Sequence, residues 1–179
     1  MEVLLARRAD TQSFMPGVWV FPGGMVEDGE GFAECAAREL TEETGIALEA
    51  ESEVLPWMRW ITPEVVPVRF DTHFFVAVAP PHTPPQPDGV EISEAGWFSP
   101  RGALDSHAAG ALPLVFPTIK TLETLLPYAH AGEVLTAAPE RSLDPILPRV
   151  VGTRDQHRIV LPWEDGYEDA VNEVEELPG

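Results

Sequence analysis

Apolar positions fall in short blocks separated by glycine, proline and charge. Glu2 to Arg7 (EVLLAR) reads as a short strand and Arg8 to Pro16 as a polar loop. Val18 to Phe21 (VWVF) reads as a buried strand bounded by Gly17 and by Pro22-Gly23-Gly24. An acidic loop from Glu27 to Gly31 leads into a helix over Phe32 to Thr44, with Gly45 as its stop. Further strands are expected around Glu49 to Trp60, Arg69 to Ala79 and Val90 to Phe98. Five prolines in the eight residues from Pro80 to Pro87 make a stiff surface connection between the last two, which are expected to be neighbours in one sheet. Ser99 to Ala109 and Phe116 to Leu126 predict two helices, and Pro148 to Gly152 with Arg158 to Leu161 a late strand pair. Strands and helices alternate, which predicts an α/β fold with a mixed sheet and helices on both faces. One domain is expected over residues 1–163, its late hairpin at 148–161. From Glu164 onward seven acids and no bases predict a mobile or loosely docked acidic tail, 164–179.

Composition narrows the function. The 179 residues and 19.6 kDa suit one core, and 44% hydrophobic with 23% charged residues is ordinary globular usage. A single cysteine, Cys35, excludes an intramolecular disulfide and a four-cysteine zinc site. No apolar run approaches the roughly 20 residues of a membrane span, and the N-terminus has no signal-peptide pattern, so the expected compartment is the cytoplasm. Thirty acids against eleven bases give a formal charge of −19, and Lys120 is the only lysine. Such a surface repels nucleic-acid polymers and anionic membranes. An anionic ligand would need divalent cations or a local arginine group.

The acids are most ordered in the first helix. Glu39, Glu42 and Glu43 stand at i, i+3 and i+4, so three carboxylates share one face. A solvated acidic face is the plainer reading, but it leaves the Pro22-Gly23-Gly24 turn unexplained. A hard divalent cation accounts for both: it takes carboxylate oxygens, and a glycine turn lets a backbone carbonyl approach it. Gly24, five residues, Glu30, seven residues, then Arg38-Glu39-Leu40-Thr41-Glu42-Glu43-Thr44-Gly45-Ile46 fill every fixed position of the Nudix box, G-x5-E-x7-R-E-U-x-E-E-x-G-U. Over residues 24–46 the chain resembles the Nudix hydrolases, and the element order over 1–126 is similar to their α/β/α sandwich.

The resemblance implies that Glu39, Glu42 and Glu43, with the Gly24 carbonyl, hold Mg²⁺ or Mn²⁺. It implies that Glu30 and Arg38 brace the loop against the helix, and that a diphosphate joining a nucleoside to a moiety X is hydrolysed. A further glutamate from a distal loop often assists; Glu91 and Glu94 both qualify, with Glu91 ranked ahead. The short first strand implies, for this family, an exposed sheet edge and pairing into a homodimer. A nucleotide-sensing module without catalysis is the reading from another class; retention of every box acid argues against it.

The moiety X is read from outside the box. Trp57 to Pro63, Arg69 to Phe75, Phe14 to Gly17 and the Leu147-Pro148-Arg149-Val150 run resemble a subgroup related to peroxisomal coenzyme A diphosphatases. Pro63 lies near where ADP-ribose-cleaving relatives carry a proline. Arg59, Arg69, Arg149, Arg154 and Arg158 are candidate phosphate contacts, each weighed against pairing with a nearby acid. Trp57, Trp60 and Phe74 could stack on a base but read first as core. Cys35 reads as a packed residue. These features favour coenzyme A or its thioesters, then ADP-ribose-like nucleoside diphosphate sugars.

Overall fold

In the computed structural model, which describes residues 1–153 and 156–170, the first strand lies inside a sheet. β1 (Val3–Arg8) pairs antiparallel with β2 (Trp19–Val20) on one side and with β5 (Ile92–Phe98) on the other. Leu4, Leu5 and Ala6 are all buried, as befits a strand covered on both faces. β5 takes one edge along the whole strand, and β2 takes the other at Ala6 and Arg7.

The chain contacts form two compact units. The first comprises Met1–Pro56 and Phe75–Glu140. It contains the β2-β1-β5 sheet and α1 (Phe32–Thr44), α2 (Pro100–Ala108), α3 (Phe116–Leu125) and α4 (Ala131–Ala137). Leu5 and Trp19 meet Ala103, Leu112, Leu114 and Leu122, with Val3, Phe98, Leu104 and Ile119 around them, so α2 and α3 cover one face. Trp19 and Phe98 meet edge to face at 5.2 Å. α1 packs against β5.

Local signals explain the helix limits. Gly31 precedes α1 and gives its N–H to the Glu34 carboxylate at 2.8 Å. Gly45 ends α1 at φ 69°, its N–H returning to the Thr41 carbonyl at 2.9 Å. Ser99 caps α2 by accepting from the Gly102 N–H at 3.1 Å. α4 has no counterpart among the expected elements. It is a seven-residue helix with a glycine inside, too short to show a period, and the Glu133 carboxylate fastens its start by accepting from the Ala129 and His130 N–H groups.

The second unit comprises Trp57–Phe74 and the described residues from Arg141 onward. β3 (Leu55–Ile61) pairs with β4 (Asp71–Val76), and β6 (Arg149–Thr153) pairs antiparallel with β7 (Gln156–Val160). The first part of the expected Glu49 to Trp60 strand is instead a turn, in which the Ser52 N–H reaches the Glu49 carbonyl at 2.9 Å. β4 and β5 are not neighbours in one sheet: β4 joins β3, and β5 joins β1. The paired ladders with a described register are antiparallel; parallel contact comes from single bridges, Trp19 with Leu114 and Trp60 with Ile146. The start of the expected tail makes contacts at Tyr167. The Tyr167 hydroxyl donates to the Leu147 carbonyl at 2.7 Å, and the Arg149 guanidinium lies 4.2 Å from the Tyr167 ring centre. The rest of that tail, from residue 171, lies outside the described residues. Among the described residues no helix is long and apolar enough to cross a membrane.

Candidate active site

The Pro22-Gly23-Gly24 turn and the C-terminal half of α1 meet through two carboxylates. Glu43 is only 5% exposed, and its Oε2 accepts the Gly23 N–H at 2.9 Å. Burial first, then the like charges of Glu39 and Glu91, push its carboxyl up to about 7; the Gly23 N–H and the Arg8 charge oppose the rise. Glu39 lies directly over Gly24. A Cβ on that glycine would stand 2.3 Å from Glu39 Oε1, so the carboxylate keeps this position only over a glycine.

Arg38 organises the opposite side of the cluster. Its guanidinium grips both Glu30 oxygens at 2.8 and 3.0 Å, Glu39 Oε1 at 2.8 Å, Glu42 Oε2 at 2.9 Å and the Met25 carbonyl at 3.1 Å. Hydrogen bonding to Arg38, with the Glu27 N–H, lowers the Glu30 carboxyl to about 2. The brace that the box resemblance implies between Glu30 and Arg38 is present. Cys35 is buried behind it, its thiol 3.9 Å from the Gly24 carbonyl, and burial pushes that thiol up. It reads as packing.

Glu39 and Glu43 thus flank the glycine turn, whereas Glu42 is exposed and turned to Arg38. Among the described residues no three acidic, histidine or cysteine side chains enclose an ion as they stand, because Arg38 draws Glu39 and Glu42 to itself. The donor set still fits a hard divalent cation: every group is an oxygen, Gly24 bares its carbonyl, and Glu43 is a buried carboxylate with no hydrogen-bonded cation among the described residues. Mg²⁺ or Mn²⁺ meets those demands.

The two distal glutamates separate. Glu91 lies close enough to raise the Glu43 carboxyl. It is placed there by Asp88, whose carboxylate accepts from the N–H groups of Val90, Glu91 and Ile92 at 2.8–3.2 Å. Asp88 in turn gives its own N–H to the Glu43 carbonyl at 3.2 Å, and Gln86 gives its N–H to the Thr44 carbonyl at 2.7 Å. The loop before β5 is therefore stitched to the end of α1. Glu94 sits elsewhere, exposed and 3.6 Å from Arg7.

The candidate phosphate contacts belong to the second unit and have mixed fates. Arg59 holds Asp71 through two hydrogen bonds at 2.9 and 2.7 Å. Arg149 is bound to the Tyr167 and Glu168 carbonyls. Arg69 donates to the Thr62 carbonyl at 3.1 Å and is otherwise exposed. Arg158 is exposed and has no ion pair among the described residues, and Arg154 lies outside them. Trp57 and Trp60 are buried at 0% and 3%, which makes them core and excludes stacking on a ligand; Arg141 lies 3.9 Å from the Trp57 ring centre.

Two residues near the carboxylates escaped the sequence reading. Asp88 carries no box signature. Arg8 stands at the end of β1, and the one available signal was strand alternation, which places Arg7 and Arg8 on opposite faces.

The comparisons agree with this geometry. The family model for the NUDIX domain matches residues 1–116. A Caenorhabditis elegans nudix hydrolase is 28% identical over 162 residues, 69% of this chain and 55% of that protein. The NAD-capped RNA hydrolase NudC of Pseudomonas aeruginosa is 36% identical over 98 residues, covering 55% of this chain and 32% of NudC. The chain thus spans about half of the first relative and a third of the second. The crystal structure of a NUDIX hydrolase from Alicyclobacillus acidocaldarius superposes with a TM-score of 0.66 at 26% identity, over 75% of this chain and 87% of that one. With a full set of box residues, the glycine turn under Glu39 and Glu43, and a family match through most of its length, the chain belongs to the NUDIX family.

Proposed function

We propose that this protein hydrolyses the diphosphate linkage of a nucleoside diphosphate derivative with the help of Mg²⁺ or Mn²⁺. The observation that carries the reading is the seat of Glu43 on the Gly23 N–H beside a Glu39 carboxylate lying over the bare Gly24. Glu39, Glu42, Glu43 and the Gly24 carbonyl would hold the cation. Once bound, such an ion neutralises diphosphate oxygens and lowers the pKa of bound water. Glu91, kept beside Glu43 by the Asp88 loop, is the group that takes the proton from the attacking water. Water adds to one phosphorus, the bridging P–O bond breaks, and two phosphate monoesters leave. Arg38 and Glu30 keep α1 and the glycine loop in register while this happens.

Coenzyme A and its thioesters are the first choice of substrate, and ADP-ribose-like nucleoside diphosphate sugars the second. Arg149, Arg154 and Arg158, close together in the sequence, are the reason for that order, as cations suited to a separate 3′-phosphate. The net charge of −19 weighs against long RNA. The test is a panel of coenzyme A, ADP-ribose, NADH, diadenosine polyphosphates and isopentenyl diphosphate, with Mg²⁺, Mn²⁺ or EDTA, products identified by mass. Cation-dependent release of two monoesters is expected; no cleavage of any nucleoside diphosphate refutes the reading. Arg154→Ala with Arg158→Ala should reduce the preference for coenzyme A over dephospho-coenzyme A by roughly 1.5–3 kcal/mol. An unchanged ratio removes these arginines from substrate choice.

A further inference from the structure

The turn that seats Glu43, Pro22-Gly23-Gly24, hangs from a strand of two residues. β2 is held on one side by β1, through Ala6 and Arg7. On its other side it meets the connection between α2 and α3. There the Trp19 N–H donates to the Pro113 carbonyl at 2.8 Å, and Trp19 forms a parallel bridge with Leu114. Gly23, whose N–H holds Glu43 at 2.9 Å, follows Val20 by three residues. Whatever fixes the connection therefore helps to fix the turn.

A histidine fixes it. The connection first folds back on the end of α2, the Ala111 and Leu112 N–H groups both donating to the Ser106 carbonyl. The His107 ring takes over from there. Its Nδ1 stands 3.1 Å from the Leu112 carbonyl oxygen and 3.2 Å from the Leu114 nitrogen. Pro113, between them, has no N–H to give. One ring nitrogen thus faces an acceptor and a donor, and it serves only one at a time. A bare Nδ1 accepts the Leu114 N–H. A protonated Nδ1 donates to the Leu112 carbonyl and turns its hydrogen toward the Leu114 N–H. An imidazolium has only the second choice.

The ring stands beside the core and is itself half-buried. Ala103, one turn earlier on α2, is fully buried, and Leu112 and Leu114 share its cluster with Leu5 and Trp19. Few charges compete for the ring. Residues 111–115 and β2 contain no titratable side chain. α2 carries Arg101 and Asp105, both exposed. On α3, Lys120 and Glu123 pair with each other at 2.9 Å. On β1 and β5, Arg7 lies 3.6 Å from Glu94, and Arg8 donates to the Phe14 carbonyl at 3.0 Å. None of these forms an ion pair with His107 among the described residues.

We propose that His107 is a positioning residue for the glycine turn: its neutral ring clamps Leu114 against β2, and protonation releases the clamp. Histidine side chains change charge between pH 5 and 8, so the support weakens toward the acid end of that range. The inference rests on the diphosphatase reading only for the use made of the turn.

The test compares the metal-free wild type with His107→Asn by amide hydrogen exchange at pH 8 and pH 5.5. Asparagine offers the same backbone groups an amide that does not titrate. Ring ¹⁵N shifts of the wild type give the charge and tautomer of His107 at each pH. At pH 8 the protection of the Leu114, Trp19 and Gly23 amides should agree within about twofold between the two proteins. At pH 5.5 the wild type should be less protected, roughly 2- to 10-fold at Leu114 and about 2- to 3-fold at Trp19 and Gly23. Glu43, raised to about 7, titrates over the same range, but it is present in both proteins and cancels in the comparison. A neutral ring protonated on Nδ1, a ring still neutral at pH 5.5, or a protonated ring with Leu114 unchanged overturns the clamp. So does an equal loss in His107→Asn. A loss at Leu114 that does not reach Gly23 overturns the positioning role. If His107→Asn does not fold, His107→Gln carries the comparison with the same expectations. No metal or substrate enters the measurement, so a protein that cleaves nothing refutes the proposed function and leaves the His107 result standing.

Discussion

Replacing Glu43 by glutamine removes a charge that the fold has buried with no hydrogen-bonded cation among the described residues. In the metal-free protein the Glu43 carboxyl sits at about 7 rather than the ordinary 4.5, with burial the main cause. A carboxyl whose folded pKa is raised favours folding below its unfolded pKa, and that contribution is lost as the pH rises through the folded value. The window here is therefore pH 4.5 to 7. Integrating the two titrations between pH 5 and pH 8.5 gives a loss of about 2.5 kcal/mol for the wild type. Glutamine does not titrate, and its Oε1 can still accept the Gly23 N–H. Whatever fixed cost its amide carries cancels in the pH difference. Urea unfolding of both proteins in EDTA at several pH values should show the stability of Glu43→Gln minus wild type rising by about 2.5 kcal/mol from pH 5 to 8.5. A gap that stays flat, or shrinks, refutes the claim that Glu43 is a strained buried acid. Adding Mg²⁺ at pH 8.5 should narrow the gap, because the cation stabilises the wild type by binding its folded state. Turnover should fall by orders of magnitude in the same variant, since the position that costs stability is the one placed to hold the ion.

Further substitutions separate the neighbouring roles. Glu91→Gln should lower kcat by about 10²- to 10⁴-fold, whereas Glu94→Gln should stay within about threefold; equal effects would undo the assignment of the distal glutamate. Gly24→Ala puts a methyl 2.3 Å from Glu39 Oε1, so the carboxylate must move, and Mn²⁺ affinity should drop about 10- to 100-fold with little change in melting temperature. Retained affinity would mean that Glu39 is not a ligand. Glu30, lowered to about 2, contributes stability that is present above pH 4.5 and lost as the pH falls through about 2. Glu30→Gln should therefore be destabilised at pH 7 and match wild type near pH 2 in acid unfolding. A pH-independent difference would show that the Arg38 pair is not its source.

The sequence by itself determined the first helix and the chemistry on it. Phe32 to Thr44, with Gly45 as stop, was readable because helix spacing and a left-handed glycine cap act within a turn or two of the chain. The same short range placed Glu39, Glu42 and Glu43 on one face, and the box added Glu30 and Arg38 as a brace, which the structure contains. Ser99 and Pro100 likewise marked the start of α2. Short range also explains the failure at α4, where seven residues give too little period to read.

Tertiary structure decided the rest. Strand pairing joins residues far apart in sequence, and nothing local announces which strands meet. Hence β1 lies between β2 and β5, and β4 and β5, adjacent in the chain, joined different partners. Ion pairs were equally invisible: Arg59 found Asp71, while Arg158 found no acid among the described residues. Glu91 and Glu94 are three residues apart and chemically identical, yet the Asp88 turn carries one to Glu43 and the β1 ladder carries the other to Arg7. Arg7 and Arg8 divide in the same way. Strand side chains alternate with period two, so a shift of one residue in register changes the face a side chain serves, and that register is fixed only when the sheet has formed.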